Sequence, residues 1–178
     1  MINFEKVRMK NFFSVGNSHI EIDLTSHNKT LIIGKNGSSK SSCILDSIVF
    51  ALYGKPFRKT NIPNIINSIN KCNLLVEIEF SIGDNKYKVI RGLKPSIFEI
   101  YCNGELKRQD AAKKDYQEYL EKYILKVNHK SFINIVILGS ARYSPFMGMS
   151  AADRRSIIEQ LLDIQIFSTM TNLVKDKV

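Results

Sequence analysis

The feature that most constrains this chain is a glycine-rich stretch at residues 34–41, Gly-Lys-Asn-Gly-Ser-Ser-Lys-Ser, between an apolar run and a helical pattern. The preceding residues 30–33 are short and apolar, as buried strands are. From Lys40 onward, apolar residues recur at the spacing of an amphipathic helix. A turn that joins a strand to a helix in the pattern G-x-x-x-x-G-K-[ST] is typical of a phosphate-binding loop.

The residue types of this loop suit the phosphates of a nucleotide. Glycines let the backbone curl until several N–H groups point into one concavity, and the positive end of the following helix favours an anion there. Lys40 is expected to reach the β- and γ-phosphates, and Ser41 is expected to bind Mg²⁺ through its hydroxyl oxygen. The predicted nucleotide-binding residues are Gly34, Lys35, Asn36, Gly37, Ser38, Ser39, Lys40, Ser41 and Ser42.

One position departs from the pattern, because Ser39 stands where a glycine is expected before the lysine. Glycine at this place permits unrestricted backbone angles and a close approach of the backbone to the ligand. Serine is tolerated there if the local φ is negative. The alternative interpretation of the whole stretch is a turn that links a strand to a helix and binds no ligand.

The N-terminal half is predicted to contain a hairpin and one helix. Residues 4–11 and 19–24 should pair, because the second segment alternates apolar and polar residues as a half-buried strand does. The helix that begins at Lys40 should end at Gly54, since glycine favours the position just after a helix. Residues 55–71 read as irregular or partly helical.

The middle of the chain predicts an antiparallel meander followed by a charged helix. Residues 74–81, 87–91 and 97–102 read as its strands, and the Asn-Gly pair that follows is a strong hairpin signal. A helix is expected over residues 110–125. The residues predicted to share one face of it are Tyr116, Tyr119, Leu120 and Tyr123.

The last segment predicts a helix that outruns the sequence. Ser150 is placed to cap it, and Asp153 stands where a capping box has its acidic residue. The apolar pattern persists to Val178 without a capping residue or a breaker, so we expect the chain to end inside a longer helix. The predicted domains are therefore residues 1–150 and a helix over residues 151–178.

Composition narrows the classes of protein to consider. With 178 residues, 44% of them apolar, the chain is long enough to bury the core of one domain. The net charge of +9 favours polyanionic partners, nucleic acid first. No run of 18 apolar residues occurs, so no membrane span is expected. Three cysteines without a CxxC pair argue against a zinc site and suit a reducing cytoplasm.

Several stretches in this order resemble the N-terminal lobe of the SMC-like ATPases of double-strand-break repair. The bacterial member is SbcC, and tailed phages carry a homologue as the large subunit of their recombination endonuclease. The stretches are Arg-Met-Lys-Asn-Phe at 8–12 with Ser14, Gly-Lys-Asn-Gly-Ser-Ser-Lys-Ser-Ser at 34–42, Ala-Leu-Tyr-Gly-Lys-Pro-Phe-Arg at 51–58, Arg-Gly-Leu-Lys-Pro at 91–95, Phe-Ile-Asn-Ile-Val-Ile-Leu-Gly at 132–139 and Tyr-Ser-Pro-Phe-Met-Gly at 143–148.

The resemblance implies an α/β, P-loop NTPase fold: the N-terminal lobe of an ABC-type ATPase head with an antiparallel β-meander and a C-terminal helix leading into a coiled coil. It implies ATP and Mg²⁺ as cofactors. The implied partners are a C-terminal lobe, a second head in a homodimer, a metallophosphoesterase-type nuclease gated by head closure, and DNA bound without sequence specificity. The implied location is the cytoplasm, that of the host for a phage protein.

Three departures limit what the chain should do alone. A Walker B strand, four apolar residues followed by Asp-Glu, does not occur in the sequence, so no catalytic residue is predicted in this lobe. It should bind ATP weakly and hydrolyse essentially none. The family's Mg²⁺-binding glutamine falls at Ser140, and Phe13 stands where cellular members direct an arginine at the nucleotide.

Two alternatives remain open. A small stand-alone P-loop NTPase or kinase needs its own acidic Mg²⁺ ligand, and residues 28–31, Asn-Lys-Thr-Leu, lack the aspartate of a GTPase base reader. The other alternative is a nucleotide-blind scaffold or DNA-binding fragment in which Ser39 closes the pocket. The basic clusters that could contact DNA lie at residues 55–59, 107–108, 113–114 and 126–130.

Overall fold

The computed structural model describes residues 2–27, 29–58, 60–107, 113–137 and 146–162, together with residues 164, 170 and 174. The chain divides into two compact units, Met1–Tyr119 and Leu120–Val178. The first is an α/β unit built on a six-stranded sheet, and the described elements of the second are helical. No helix within these ranges is long and apolar enough to cross a membrane.

The sheet unites the predicted N-terminal hairpin with the predicted meander, and both predictions are confirmed. Its strands are β1 Ile2–Lys10, β2 Ile20–Asp23, β3 Leu74–Ile82, β4 Asn85–Leu93, β5 Ile97–Cys102 and β6 Glu105–Leu106. Their order is β2-β1-β3-β4-β5-β6, and every neighbouring pair is antiparallel. Because β1 pairs with both β2 and β3, the hairpin and the meander form one surface.

Alternation along the strands gives the sheet one apolar face and one charged face. On the apolar inner face, Met9, Val76 and Ile78 are fully buried. The outer face carries a network of ion pairs that spans β2, β1, β3 and β4. Its members are the cations Lys6, Arg8 and Lys88 and the carboxylates Glu21, Glu77 and Glu79.

Helix α1, Lys40–Tyr53, contacts β1, β3 and β4 and contributes the other half of this core. Its predicted end is confirmed, because Gly54 is left-handed with a φ of 67° and its N–H donates to Phe50 O at 2.8 Å. Arg91 of β4 donates from Nε to Ala51 O at 3.0 Å. A cation at the last carbonyls of a helix opposes the negative end of the helix dipole, so Arg91 fastens α1 to the sheet.

The segment before the phosphate loop differs from the prediction. Residues 30–33 form no strand, and Leu31 and Ile33 are 83% and 84% exposed. An apolar run becomes a buried strand only where a neighbouring strand pairs with it and another layer covers it. The described strands all belong to the one sheet, which does not include this segment. The prediction of a buried strand is therefore wrong for this chain.

Helix α2, Lys113–Tyr119, occupies only part of the predicted helix, whose residues 110–112 lie outside the described residues. Leu120–Leu125 form a π-helical turn instead. A π turn holds more residues than an α turn, so side chains three and four apart no longer share one face. Accordingly Tyr116 is buried whereas Tyr123 is 72% exposed, and the predicted single face is wrong.

Helices α3, His129–Ile135, and α4, Ala151–Leu161, belong to the second unit. The predicted cap of α4 is confirmed, because Ser150 Oγ accepts a hydrogen bond from the N–H of Asp153 at 3.2 Å. Lys130 Nζ lies 2.6 Å from Asp153 Oδ1, which joins the two helices and holds the pKa of that carboxyl below its ordinary value. The continuation of α4 to the end of the sequence stays a prediction.

Replacing Gly54 by alanine should destabilise the protein by about 1–2 kcal/mol, because a left-handed residue that carries a Cβ is strained. The added Cβ would also lie 2.9 Å from Arg91 Nη1. Urea unfolding of Gly54→Ala and Gly83→Ala separates the two effects, since Gly83 has a φ of 58° and no atom within 4 Å of its Cβ position. Equal losses in the two variants would contradict a contribution from the Arg91 contact.

Candidate nucleotide-binding site

The phosphate loop is closed around the ammonium group of Lys40. Lys40 Nζ donates to the carbonyl oxygens of Gly34 and Lys35, both at 2.6 Å, and to Ser38 Oγ at 3.3 Å. Gly37 takes a left-handed conformation, φ 82°, which lets the loop turn back on itself. The structure therefore brings the predicted residues at the two ends of the loop together, with the lysine between them.

The N-terminus of α1 opens into this loop, and its first N–H groups have no acceptor within the helix. The N-cap residue Ser39 makes no side-chain capping hydrogen bond, and the first turn contains no acidic residue. Ser41 and Ser42 follow Lys40 in that turn, and Asn36 lies exposed where the loop turns. A helix end with an adjacent lysine and no carboxylate is suited to a phosphate group.

Ser39 has a left-handed backbone, with φ 58° and ψ 20°. The negative φ that would tolerate a serine is therefore not what the loop provides. Left-handed geometry costs a residue that carries a Cβ about 1–2 kcal/mol. The loop nevertheless keeps Lys40 turned inward toward Gly34 O and Lys35 O, so the strain is stored next to the expected phosphate position.

The magnesium prediction depends here on Ser41, which lies exposed in the first turn of α1. Ser140, which stands where the family that the sequence resembles has its Mg²⁺-binding glutamine, lies outside the described residues. Within the described ranges, no three His, Cys, Asp or Glu side chains come together to hold a metal ion. Mg²⁺ at nucleotide sites keeps several waters and takes one or two protein ligands beside the phosphates. A single hydroxyl therefore fits a magnesium ion that arrives with its nucleotide.

The turn after β1 lies against α1, close to the loop. Burial raises the pKa of the Cys43 thiol, and a hydrogen bond from Ser14 opposes that rise. Cys43 lies one helical turn after Lys40, and its N–H donates to Ser39 O at 2.8 Å. Phe12 packs on Phe50 of the same helix, with ring centroids 5.7 Å apart. Residues 12–14 thus form a wall along α1, which reaches Phe50 in the last turn of the helix.

A buried ion pair flanks this wall. Asp46 of α1 is fully buried, and its Oδ2 lies 2.8 Å from Arg58 Nε. Burial raises the pKa of the Asp46 carboxyl, against the opposing effect of hydrogen bonds and charge from Arg58. The Arg58 guanidinium also lies over the ring of Phe13, 5.7 Å from its centroid. Position 13 itself carries a phenylalanine, and the guanidinium beside it belongs to Arg58.

Sequence reasoning missed the asparagines that support this wall. Asn67 Nδ2 donates to the carbonyl oxygens of Phe13 and Val15 at 2.9 Å and 3.1 Å. Asn70 Nδ2 donates to Asn11 Oδ1 at 2.7 Å, and both Asn11 and Asn67 are buried. The signal in the sequence is a period of three, formed by Asn61, Asn64, Asn67, Asn70 and Asn73.

Comparison with known proteins places this loop in a family. The family model described as an AAA domain matches residues 6–177. The chain belongs to this family. Exonuclease subunit 2 of Enterobacteria phage T4 is 43% identical to it over 177 residues, which are 98% of this chain and 31% of the relative. A DNA double-strand break repair Rad50 ATPase of Thermoplasma volcanium is 28% identical over 97% of this chain and 19% of its own length.

A solved structure agrees with the fold of this AAA-domain chain. The Smc head domain with a coiled coil and joint, derived from Pyrococcus yayanosii, matches 99% of this chain and 35% of its own length, with a TM-score of 0.60 and 23% identity. The comparisons confirm the resemblance to the N-terminal lobe of SMC-like repair ATPases and the predicted α/β P-loop fold. The chain spans about a third of the length of the phage relatives that it matches.

Replacing Ser39 by glycine in this AAA-domain lobe should raise the free energy of unfolding by about 0.5–1 kcal/mol, because relief of left-handed strain exceeds the added chain entropy of glycine. Ser38→Gly is the matched control. Ser38 is not among the left-handed residues, so glycine there should only destabilise. Thermal unfolding of both variants measures the difference, and a loss of stability in Ser39→Gly would show that the strain is absent.

Proposed function

We propose that this lobe binds ATP with Mg²⁺ at residues 34–42, as the nucleotide-binding half of an ATPase head. The observation that carries the proposal is the placement of Lys40 Nζ, 2.6 Å from Gly34 O and Lys35 O at the N-terminus of α1. A triphosphate offers this ammonium charged oxygens, which form stronger hydrogen bonds than neutral carbonyls. Ser41 is suited to bind Mg²⁺ together with the phosphates, whose negative charge the ion neutralises.

Hydrolysis is proposed to require a separate C-terminal lobe. The sequence lacks an apolar run followed by Asp-Glu, so the carboxylates that complete the magnesium site must come from another segment. The exposure of Leu31 and Ile33 supports such a partner. An apolar segment directly before the loop has the composition of a central strand and needs a neighbouring strand to bury it.

ATP-driven engagement of two heads is the proposed use of the site. In this proposal ATP is held between two copies of the head, and their closure gates a metallophosphoesterase-type nuclease during DNA repair and recombination in the host cytoplasm. Two relatives support it by name, an exonuclease subunit of a phage and a double-strand break repair ATPase. Residues 151–178 are proposed as the root of a coiled coil. Exposed Ile158 of α4 and Leu162, the residue just after the helix, lie four residues apart, as in a coiled-coil seam.

The polyanion that this lobe is proposed to bind is DNA, without preference for its base sequence. The net charge of +9 supports this, because phosphate contacts dominate non-specific affinity for DNA. A groove of about 470 Å³ in the first unit is lined by the exposed residues Lys71 and Lys94 and by both polar and apolar residues of the segment 63–68. Two lysines beside a groove offer contacts to a phosphate backbone and carry no information about base sequence.

Replacing Lys40 by alanine should weaken binding of Mg-ATP about ten- to a hundredfold, because a charged hydrogen-bonding group is lost from the phosphates. Isothermal titration calorimetry on the wild type and on Lys40→Ala measures this. Lys55→Ala is the control, since Lys55 is an exposed lysine just beyond the other end of α1. It should bind ATP as the wild type does.

The same samples separate the alternatives. Binding heat in the wild type that is lost in Lys40→Ala supports the proposal, and no heat in either protein supports a nucleotide-blind scaffold. A phosphate-release assay on the purified chain should detect essentially no turnover, because the second lobe is missing from the reaction. Robust turnover that depends on Lys40 would favour a stand-alone NTPase instead.

A further inference from the structure

The turn after β1 is held in a strained shape. Asn11 and Phe13 both have left-handed backbones, with φ of 52° and 48°. Residues in such conformations persist only where the surrounding contacts over-determine them, and they cluster at ligand-binding sites. Phe13 is the more telling of the two, because a bulky side chain rarely adopts this conformation, whereas asparagine tolerates it.

Asn67 supplies the contacts that hold this shape. Its Nδ2 donates to Phe13 O at 2.9 Å and to Val15 O at 3.1 Å, on either side of the turn. Its Oδ1 accepts from the N–H groups of Ile69 at 3.0 Å and Asn70 at 3.1 Å, which fixes the amide in one orientation. The residue is 6% exposed, so the amide group uses its donors and its acceptor inside the protein.

The turn supported by Asn67 lies along α1, the helix that begins at the phosphate loop. The ring of Phe13 lies under the Arg58 guanidinium, and Arg58 pairs with Asp46 in the second turn of that helix. A nucleoside attached to phosphates at the N-terminus of α1 extends from the loop over the neighbouring surface. The wall of residues 12–14 is such a surface, and it presents an aromatic ring and a hydroxyl group.

We propose that Asn67 is a positioning residue for nucleoside recognition. By holding the carbonyl groups of Phe13 and Val15, it fixes the wall that the sugar and base of a nucleoside triphosphate contact. The inference rests on the proposed function, since it requires the triphosphate to occupy residues 34–42. The affinity for a nucleoside triphosphate then has two separate contributions. The loop with Lys40 binds the triphosphate, and Asn67 affects only the binding of the nucleoside, because it acts through the wall.

Asn67→Asp tests this with the smallest change in shape. Aspartate keeps an oxygen for the N–H groups of Ile69 and Asn70 but loses the N–H donors to Phe13 and Val15. Isothermal titration uses two probes, ATP and inorganic tripolyphosphate, both with Mg²⁺. We expect about a tenfold loss of affinity for ATP and an unchanged affinity for tripolyphosphate. Two hydrogen bonds that shape only the wall are lost, and an oxygen of the aspartate faces the two carbonyl oxygens instead.

Asn64→Ala is the matched control, because Asn64 is an exposed asparagine in the short 3₁₀ helix Ile62–Ile65 of the same segment. It should keep both affinities. A wild type that binds neither probe overturns the proposed function and this inference with it. An Asn67→Asp protein that keeps both affinities, or loses both equally, overturns this inference alone, since a purely structural defect does not discriminate between the probes.

A fluorescent reporter tests the wall in a protein that keeps Asn67. The chain contains no tryptophan, so Phe13→Trp introduces a single reporter at the wall. Titration with Mg-ATP should shift or quench its emission over the concentrations at which calorimetry shows binding. Tripolyphosphate, which has no sugar or base, should leave the emission unchanged. Equal responses to the two probes would contradict contact between the nucleoside and the wall.

Discussion

The docking of α1 on the sheet decides where every residue of the candidate site lies. Arg91 of β4 holds the last carbonyls of the helix, and the contact between Phe12 and Phe50 holds its flank. The phosphate loop is continuous with the first turn of α1, so its place follows from these contacts. A firmly seated helix also explains how the loop tolerates left-handed Ser39, since strain persists only where neighbouring structure imposes the geometry.

Local interactions account for the parts of the fold that the sequence predicted. The burial pattern of β3 follows from successive side chains that point to opposite faces of the sheet. Gly54 ends α1 through its own left-handed backbone, and Ser150 caps α4 by accepting from an N–H three residues later. The loop itself belongs with these elements, because Lys40 bonds to carbonyls five and six residues away. Each of these interactions is complete within a short window of sequence.

Long-range partners account for what could not be predicted. Residues 30–33 have the composition of a buried strand, but whether they become one depends on a neighbouring strand, and none of the strands in the described ranges pairs with them. Asn67 is 54 residues from Phe13 and 52 from Val15. The period of three singles out the asparagines of its segment but does not indicate which distant carbonyl groups they bind. The π turn after Tyr119 likewise changes the helix period without a proline or glycine to signal it.

The ion-pair network on the outer face of the sheet has a consequence for how the molecule meets other charged bodies. Its three cations and three carboxylates cancel, so the surplus of nine positive charges resides on the rest of the surface. A face whose charges are paired in this way attracts a polyanion far less than unpaired cations do. This face therefore contributes little to long-range attraction of DNA, and added salt weakens the attraction that the unpaired cations exert.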